Sequence, residues 1–428
     1  MKIKKTLKNS IIYFIPFILL LYIVFCINII LKDLSYNYKA YNTSITNINW
    51  VKYNIEIKLK KVSNFFQKTF INTQGLERVY IHIPEKTKNK LLSNVPNSTK
   101  KYYSGGLYIN KNFEDIELRY FTDNPVGWMF DQKAIRIKTK KNNIINRKRY
   151  FEYKPAQNNL LREYTPFLIS KNMNLLAAEK KLVELYINGK SNGIYIESER
   201  LNEGFLRRKK IMPISLYKGE QSNNSENKIG LEHQLFNNPG LWKKISLLNF
   251  LSSADRSDLS YFFNNIIQSE NSIDEMTKLL DNGNIESFSN QEIFQIFNQH
   301  MIGNDTHNMR IALDNWTGKI YQIPHDIIFI DQNENNSPLK LDWANNHLFR
   351  VINQNSYYID KKYHKLYEYL VKNKIIDKTI IDLHKMKNSF LISKKTDIGH
   401  IQRKYFSNLS NPKKDKLYFE NFIEILKK

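Results

Sequence analysis

The pattern of hydrophobic and polar positions changes twice along this chain of 428 residues. Residues 11–31 form an uncharged apolar run that is long enough to cross a bilayer as a helix. From residue 79 to about residue 220, short runs of alternating apolar and polar residues predict β-strands. Beyond about residue 240, apolar residues recur mainly at helical spacing. The chain is therefore predicted to contain an apolar anchor, a region rich in strands and a mainly helical region.

The two folded regions divide into individual elements at turn residues. Strands are predicted at 79–83, 106–109, 115–121 and 134–139. A helix is predicted at 159–178, and a β-hairpin at 184–199, where apolar residues alternate on either side of Asn-Gly turns. Later in the chain we expect helices at 241–253 and 290–302, a helix with breaks at 357–393, and a hairpin at 309–330. The first region is expected to form a small mixed sheet.

The apolar run at the N-terminus has the features of a signal anchor. Four lysines precede it, which predicts a cytoplasmic N-terminus. The run ends in Leu31-Lys32-Asp33-Leu34, and no site of the A-x-A type follows it. We expect a protein that crosses the cell membrane once, with its main domain outside the cytoplasm. The single cysteine, Cys26, lies within the run and excludes an intrachain disulfide bond.

The predicted domains follow from these changes of pattern. They are a cytoplasmic N-terminus at 1–10, the anchor at 11–31, a membrane-proximal stalk at 32–75, a strand-rich region at 76–220 and a helical region at 221–428. The stalk is rich in Lys, Asn and Tyr and is expected to be partly helical. Asn- and Ser-rich sequence from Glu220 to Gly240 marks the boundary between the last two regions.

Composition indicates a folded protein with a strongly basic balance. Hydrophobic residues make up 42% of the chain and aromatic residues 13%, which is typical of a globular protein. The formal net charge is +24, but lysine is spread along the whole chain. Such a balance favours anionic surfaces such as lipid headgroups or acidic glycans. No known nucleic-acid-binding module is visible, so we expect no nucleic acid partner.

The residues with the clearest chemistry lie around the hairpin predicted at 309–330. Asp305 and Asn308 precede it, and Asp326 lies near its end. One carboxylate that orients a hydroxyl, together with an amide oxygen and a second carboxylate as Mg²⁺ ligands, is the set of groups that phosphoryl transfer requires. An Asn- and Asp-rich turn before a hairpin explains the same residues without a function.

Several other chemistries lack their motifs. The sequence contains no G-x-G-x-x-G and no H-E-x-x-H, and Gly189-Lys190-Ser191 lacks the earlier glycine of a phosphate-binding P-loop. A metal-dependent hydrolase that uses the two aspartates with His307 and His325 stays open as an alternative. A lone histidine is, however, more often a structural residue than a metal ligand.

Three blocks, in this order and spacing, resemble the spore-coat protein H (CotH) kinase family. The first is KAIRIKTKK from Lys133, which is similar to the family's K-S-x-R-I-K strand. The second is VELYINGKSNGIYIESERLNEGFL from Val183, followed by Tyr217-Lys218. The third comprises NDTHN from Asn304 and IPHD from Ile323. Together the blocks cover roughly residues 80–330.

The resemblance implies an α+β, protein-kinase-like fold of two lobes, with a mixed-sheet N-lobe at 76–220 and a mainly helical C-lobe at 221–428. It implies ATP as co-substrate and Mg²⁺ or Mn²⁺ as cofactor. The residues implied are Asp305 as the catalytic carboxylate, Asn308 and Asp326 as metal ligands, and Lys138, Glu163, Glu199 and Lys218 in nucleotide binding. Lys133 is a rival for the role of Lys138. Glu163 either pairs with that lysine or is a carboxylate favoured in the first turn of a helix.

The chain departs from the family at three places. Thr122-Asp123-Asn124 replaces a glycine segment, His325 stands where the family often has Trp, and Ile328 stands where it has a second acid. The resemblance implies transfer of phosphate to a hydroxyl of an envelope protein or glycan. The departures keep a second hypothesis open, a catalytically inactive kinase-like protein of envelope assembly or binding.

Overall fold

The computed structural model describes most of the chain from residue 47 onward. The described residues are 20–25, 27–28, 47–70, 75–93, 101–109, 112–121, 127, 130–142, 144–156, 159–212, 214–219, 234–246, 252–299, 308–330, 346–406 and 419–427. Most of the predicted anchor at 11–31 lies outside them. Within the described part, no helix combines the length and the apolar character needed to cross a membrane.

The first half of the described chain is rich in strands, as the alternating pattern predicted. Its strands are β1 (Glu77–His82), β2 (Tyr103–Ile109), β3 (Asn112–Tyr120), β4 (Ile135–Thr139), β5 (Tyr150–Lys154), β6 (Lys180–Ile187), β7 (Lys190–Glu199) and β8 (Ser215–Gly219). Its helices are α1 (Asn47–Phe70), α2 (Glu85–Ser93), α3 (Leu160–Asn172) and α4 (Glu203–Arg208). The helix predicted at 159–178 is confirmed as α3, although it ends earlier than expected.

The second half is mainly helical, as predicted. It contains β9 (Trp242–Lys244), α5 (Ser257–Ser269), α6 (Ile273–Leu280), α7 (Asn284–Asn298), β10 (Met309–Leu313), β11 (Ile320–Gln322), α8 (His347–Ile352), α9 (Ser356–Tyr367), α10 (Ile375–Lys394), α11 (Gly399–Phe406) and α12 (Phe419–Lys427). A π-helical turn at Glu368–Lys372 follows α9 directly. The fold is therefore a mixed one of helices and sheets.

Seven of the described strands form a closed barrel in the order β1-β2-β3-β4-β5-β7-β6. The pairs β1–β2, β2–β3 and β5–β7 are antiparallel. At the tip of the β6–β7 hairpin, Asn188 and Gly189 have φ values of 49° and 76°, which a tight two-residue hairpin turn requires. A closed barrel is not the mixed sheet of a two-lobed protein kinase, so the expected N-lobe layout is wrong.

A second sheet of four strands has the order β11-β10-β8-β9. Strand β10 lies antiparallel to both β8 and β11, with Arg310 opposite Lys218 and Ile311 opposite Gln322. The predicted hairpin at 309–330 is therefore confirmed as β10–β11. The helix predicted at 241–253 is wrong at its start, because Trp242 and Lys244 are buried in alternation as edge strand β9, paired with β8.

The contacts divide the chain into two compact units. The first comprises Met1–Ile135, Glu184–Ile194 and Leu391–Lys416. In its core, Trp50, Tyr53 and Ile57 of α1 pack with Phe130 and Ile398. The residues expected to form a stalk thus include a helix with a buried apolar face.

The second unit comprises Arg136–Val183, Tyr195–Phe390 and Leu417–Lys428. Its largest core surrounds Trp242 and contains apolar residues of β8, β10, α5, α6, α7 and α8. A further cluster joins α3 to α7, α9 and α10 through residues such as Ile169, Phe294 and Tyr369. The described residues with candidate chemistry lie in this second unit, except Lys133, which lies in the first.

Candidate functional site

The β10–β11 hairpin positions the first part of the site. Asn308 directly precedes β10, and Asp326 follows β11 by four residues. The backbone N–H of Ile323 donates to the carbonyl of Arg310 at 2.9 Å, which continues the pairing beyond the end of β11. The hairpin therefore returns the chain from Asn308 to the segment that carries His325 and Asp326.

Asn308 and Asp326 both adopt left-handed backbone conformations. Their φ values are 62° and 55°, in a region that most residues other than glycine avoid and that Asn and Asp tolerate best. Asn308 is half-buried and Asp326 is exposed. Each places an oxygen-bearing side chain just outside the β10–β11 hairpin. Such backbone outliers concentrate at functional sites.

The segment after Asp326 is fixed to two helices. The N–H of Phe329 donates to the carbonyl of Arg162 in α3 at 2.8 Å, and the N–H of Ile330 donates to the carbonyl of Asn298 in α7 at 3.0 Å. Ile327 and Phe329 are buried, which holds the segment in place by packing as well. Because Arg162 precedes Glu163, these bonds connect the Asp326 segment to the first turn of α3.

His325 lies among cations. Burial, followed by the positive charges of Arg310, Lys154, Lys180 and Lys218, lowers the pKa of its imidazole well below the usual 6.5. The ring is therefore neutral at physiological pH, with one nitrogen able to donate and the other able to accept. The four cations come from four different strands, β10, β5, β6 and β8. Their convergence makes this a place of high positive potential.

Lys180, the first residue of β6, connects these cations to the carboxylates. Burial and the charge of Lys154 lower the pKa of its ammonium group, whereas the charges of Asp326, Glu163 and Glu152 raise it. The balance is a lowered pKa. Lys180 thus experiences both Asp326 of the hairpin segment and Glu163 of α3, so the predicted Glu163 acts on a lysine, and its pairing with Lys138 stays a prediction.

Glu152, in the middle of β5, anchors the next part of the site. Burial raises the pKa of its carboxyl, but the charges of Arg136 and Lys154 outweigh that effect and lower it. The guanidinium of Arg136 in β4 donates from Nε to Oε1 at 2.8 Å. Glu152 is therefore ionised at neutral pH and already paired.

Lys138 lies on β4 as the sequence predicted. Ile135, Ile137 and Thr139 are buried on one face, and Arg136 and Lys138 are half-buried on the other. The rival Lys133 precedes the strand, and its ammonium donates to the carbonyl of Phe130 at 2.8 Å. The positive charges that act on His325 and Lys180 come from Arg310 and from other lysines, so nucleotide contact by Lys138 stays a prediction.

Glu199 is held by an arginine. Its carboxylate accepts from Nε of Arg208 at 3.0 Å, and a second contact joins Nη2 to Oε2. Arg208 also donates from Nη1 to Glu179 at 2.6 Å, and Lys148 lies 2.6 Å from the same carboxylate. With only 6% of Glu199 exposed, these contacts fix α4 to the end of β7. Its predicted role in nucleotide binding stays untested.

The structure thus brings together Glu163, Lys218 and Asp326 among the predicted residues. Asp305 lies outside the described residues, as does His307. Sequence reasoning missed Lys154, Lys180 and Arg310. Each of the three lies in a strand, and a basic residue within a strand could have indicated the site. Lysine and arginine together number 65 in this chain, however, so a single basic strand residue does not stand out.

The oxygen donors of the site suit Mg²⁺ by type. Amide and carboxylate oxygens, as in Asn308 and Asp326, are the ligands that this hard cation takes, and phosphate oxygens and water complete its shell. Within the described ranges, no group of three or more His, Cys, Asp or Glu residues is arranged to hold a metal ion. Metal binding by these two residues stays a prediction.

Comparison with known proteins identifies the family. A structure of the HipA–HipB toxin–antitoxin system of Shewanella oneidensis MR-1 with its operator DNA is similar over 83% of this chain and 75% of that chain, at 9% identity and a TM-score of 0.23. A TM-score this low does not establish a common fold. A comparison with curated proteins finds no match. The family described as CotH kinase protein matches residues 130–424, well over half of the chain and the whole of the described site. The chain therefore belongs to the CotH kinase family.

Proposed function

We propose that this protein is a CotH-type phosphotransferase that moves the terminal phosphate of ATP to a hydroxyl of an envelope protein or glycan. The observation that carries the proposal is the meeting of Lys154, Lys180, Lys218 and Arg310 at the His325–Asp326 segment. Phosphoryl transfer depends on positive charge around the phosphates and on carboxylates near the metal and the acceptor. Membership of the CotH kinase family supports the same reaction.

In this proposal, Asp305 acts on the acceptor. Its carboxylate orients the hydroxyl and takes its proton as the oxygen bonds to the terminal phosphorus and the bond to the bridging oxygen of ADP breaks. Asn308 and Asp326 hold Mg²⁺, which neutralises phosphate charge when it is bound. Lys180 and Lys218 contribute positive charge to the phosphates, and Glu163 helps to orient Lys180.

The neutral His325 fits this arrangement. A charged imidazole among four cations adds a repulsive charge, whereas the neutral ring has a hydrogen-bond donor and an acceptor to offer. Its position is the one at which the family often has Trp. We propose that it donates to a phosphate or a water molecule beside the metal.

A second candidate function is a kinase-like protein without activity, which serves in envelope assembly or binding. The observation that favours it is Ile328, which stands where the family often has a second acidic ligand. The same lysines bind nucleotide or another anion in that case, but no transfer follows.

The test is Mg²⁺-ATP binding by the full chain together with transfer of labelled phosphate. Asp305→Asn is expected to keep most of the nucleotide affinity and to lose transfer, because the carboxylate acts mainly in the transition state. Asp326→Asn is expected to lose metal-dependent nucleotide binding as well. Wild-type protein that binds nucleotide but transfers nothing with varied donors and metals supports the inactive protein instead.

The lysine assignment has its own comparison. If Lys138 contacts phosphates, Lys138→Ala weakens Mg²⁺-nucleotide binding, while Lys140→Ala, at the next lysine of the same segment, has little effect. Equal and small effects place Lys138 on the solvated surface. A large effect of Lys133→Ala alone makes Lys133 the nucleotide lysine.

The proposed location is the outer side of the cell membrane, with a single-pass anchor at 11–31 and a cytoplasmic N-terminus. The basic flank and the uncharged run support it. Alkaline phosphatase fused to the C-terminus is then expected to be active, and a fluorescent protein that folds only in the cytosol, fused at the same place, is expected to be dark. The reverse pattern refutes the location.

A further inference from the structure

A cavity of about 420 Å³ lies beside α3 in the second unit. Tyr164, Phe167 and Leu168 of α3 line it together with Leu175, and the rings of Tyr164 and Phe167 are 5.6 Å apart between centroids. This volume lies within the range of small-molecule sites, about 300–1,000 Å³. It is far larger than a single phosphate ion needs, so the apolar wall has room for the body of an organic ligand.

The rest of the lining is basic. Five lysines and two glutamates contribute to it. Three of the lysines are paired with carboxylates in the ion pairs Lys148–Glu179 at 2.6 Å, Lys181–Glu197 at 3.4 Å and Lys171–Asp382 at 3.6 Å. Both glutamates of the lining therefore already form ion pairs with lysines of the lining.

The other two lysines differ in their partners. Lys180, at the start of β6, is in the field of the carboxylates Asp326, Glu163 and Glu152. Lys209 caps the C-terminus of α4 and is half-buried, and among the described residues its ammonium group takes part in no hydrogen bond or ion pair. Lys209 therefore leaves positive charge at the cavity that an anion can neutralise.

Tyr164 adds a neutral donor. Burial and the charge of Asp382 raise the pKa of its phenol to about 12, so the group keeps its proton at neutral pH. Its hydroxyl can therefore donate to a bound oxygen. The lining thus combines an apolar wall, one phenol and one cation, Lys209, without a carboxylate partner.

We propose that this cavity binds a small phosphate ester, with its carbon ring against Tyr164, Phe167 and Leu175 and its phosphate at Lys209. The inference goes beyond phosphate transfer, because it assigns a second ligand that is separate from Mg²⁺-ATP. Lys180 also belongs to the cations around His325. Lys209 is therefore the residue that tests the cavity by itself.

The experiment measures glucose 6-phosphate binding to the full chain by isothermal titration calorimetry, with glucose and inorganic phosphate as comparison probes. Glucose 6-phosphate is expected to bind saturably and more tightly than either probe. Lys209→Gln is expected to raise its Kd by about tenfold or more, as the loss of a charged hydrogen bond does. Lys210→Gln, which removes the same charge from the exposed neighbouring residue outside the lining, is expected to change it little.

Mg²⁺-ATP binding to the same variants separates this inference from the proposed function. Lys209→Gln is expected to leave the Kd of Mg²⁺-ATP unchanged, and glucose 6-phosphate still binds if no nucleotide binding is found at all. Displacement of glucose 6-phosphate by ATP makes the cavity part of the nucleotide site and overturns the inference. It is equally overturned if no saturable binding is seen, if inorganic phosphate binds as tightly as the ester, or if Lys209→Gln and Lys210→Gln have equal effects.

Discussion

The substitution Lys180→Met separates folding from function more sharply than any other in this site. Met preserves much of the apolar stem of lysine and removes the charge. Burial and the charge of Lys154 outweigh the attraction of Asp326, Glu163 and Glu152 and lower the pKa of the Lys180 ammonium group. The charge therefore lowers the free energy of unfolding in the absence of a ligand. It is expected to contribute favourably only to the binding of an anion.

The expected effects have opposite signs. A charged hydrogen bond contributes about 1.5–3 kcal/mol, so its loss is expected to raise the Kd of Mg²⁺-ATP roughly 10- to 150-fold. The free energy of unfolding is expected to stay equal or to rise. Because the folded-state pKa lies below the usual 10.5, the wild type gains stability as pH rises through the folded-state pKa toward 10.5. The advantage of Met is therefore largest near neutral pH and disappears toward pH 10.5.

Two measurements on the full chain are required, namely urea unfolding followed by circular dichroism at pH 7 and pH 9.5, and calorimetric titration with Mg²⁺-ATP. Lys190→Met is the control, because Lys190 is an exposed lysine at the start of the next strand of the same hairpin. It is expected to change neither the stability nor the affinity appreciably. A variant at Lys180 that unfolds more easily while binding nucleotide as the wild type does refutes the reasoning and makes Lys180 a structural residue.

The remaining predictions concern one titration and two ion pairs. The imidazole of His325 is expected to show no titration between pH 6 and pH 8 by NMR, because its pKa is lowered well below 6.5. The free energy of unfolding is expected to fall as pH falls below 6.5, since the unfolded chain then binds a proton that the folded chain does not. An NMR titration midpoint near pH 6.5 contradicts the prediction. Glu199→Gln is expected to lower the free energy of unfolding by about 3 kcal/mol, since it leaves Arg208 without its buried partner. A loss of nucleotide affinity at unchanged stability indicates that Glu199 binds nucleotide directly instead. Glu292→Gln is expected to cost about 3–5 kcal/mol in urea unfolding, because Lys362, 3.6 Å away and at 0% side-chain exposure, loses its carboxylate partner. The double change to Leu at Glu292 and Met at Lys362 is expected to recover most of that loss.

Local elements could be predicted because their patterns repeat within a few residues. The alternation of Ile135 and Ile137 with Arg136 and Lys138 predicted β4 and the faces of its side chains, and Asn188-Gly189 predicted a hairpin turn. Closure of the barrel could not be predicted in this way. It depends on which distant strands pair, and a short apolar strand carries little information about its partner.

The site could be predicted only in part for the same reason. Asp326 and Lys218 belong to short motifs, whereas Lys180 matters because of neighbours from other elements. The pairing of Glu199 with Arg208, nine residues later, depends on the turn of the chain into α4. Edge strand β9 was mistaken for a helix, since three residues are too few to show an alternating period.

The β10–β11 hairpin also determines where this protein can change without loss. The register of Ile311 with Gln322 and of Leu313 with Ile320 fixes how far the chain travels between Asn308 and Asp326. A residue inserted within either strand shifts every later side chain of that strand to the opposite face and changes the position of Asp326 relative to Asn308. The turn between the strands is held by Asp314, whose carboxylate accepts from the backbone N–H groups of Trp316 and Thr317, but the side chain of Trp316 at its tip is 74% exposed. Natural variation and engineered labels are therefore both expected to accumulate at this tip, where an indole already provides a fluorescent reporter of the hairpin.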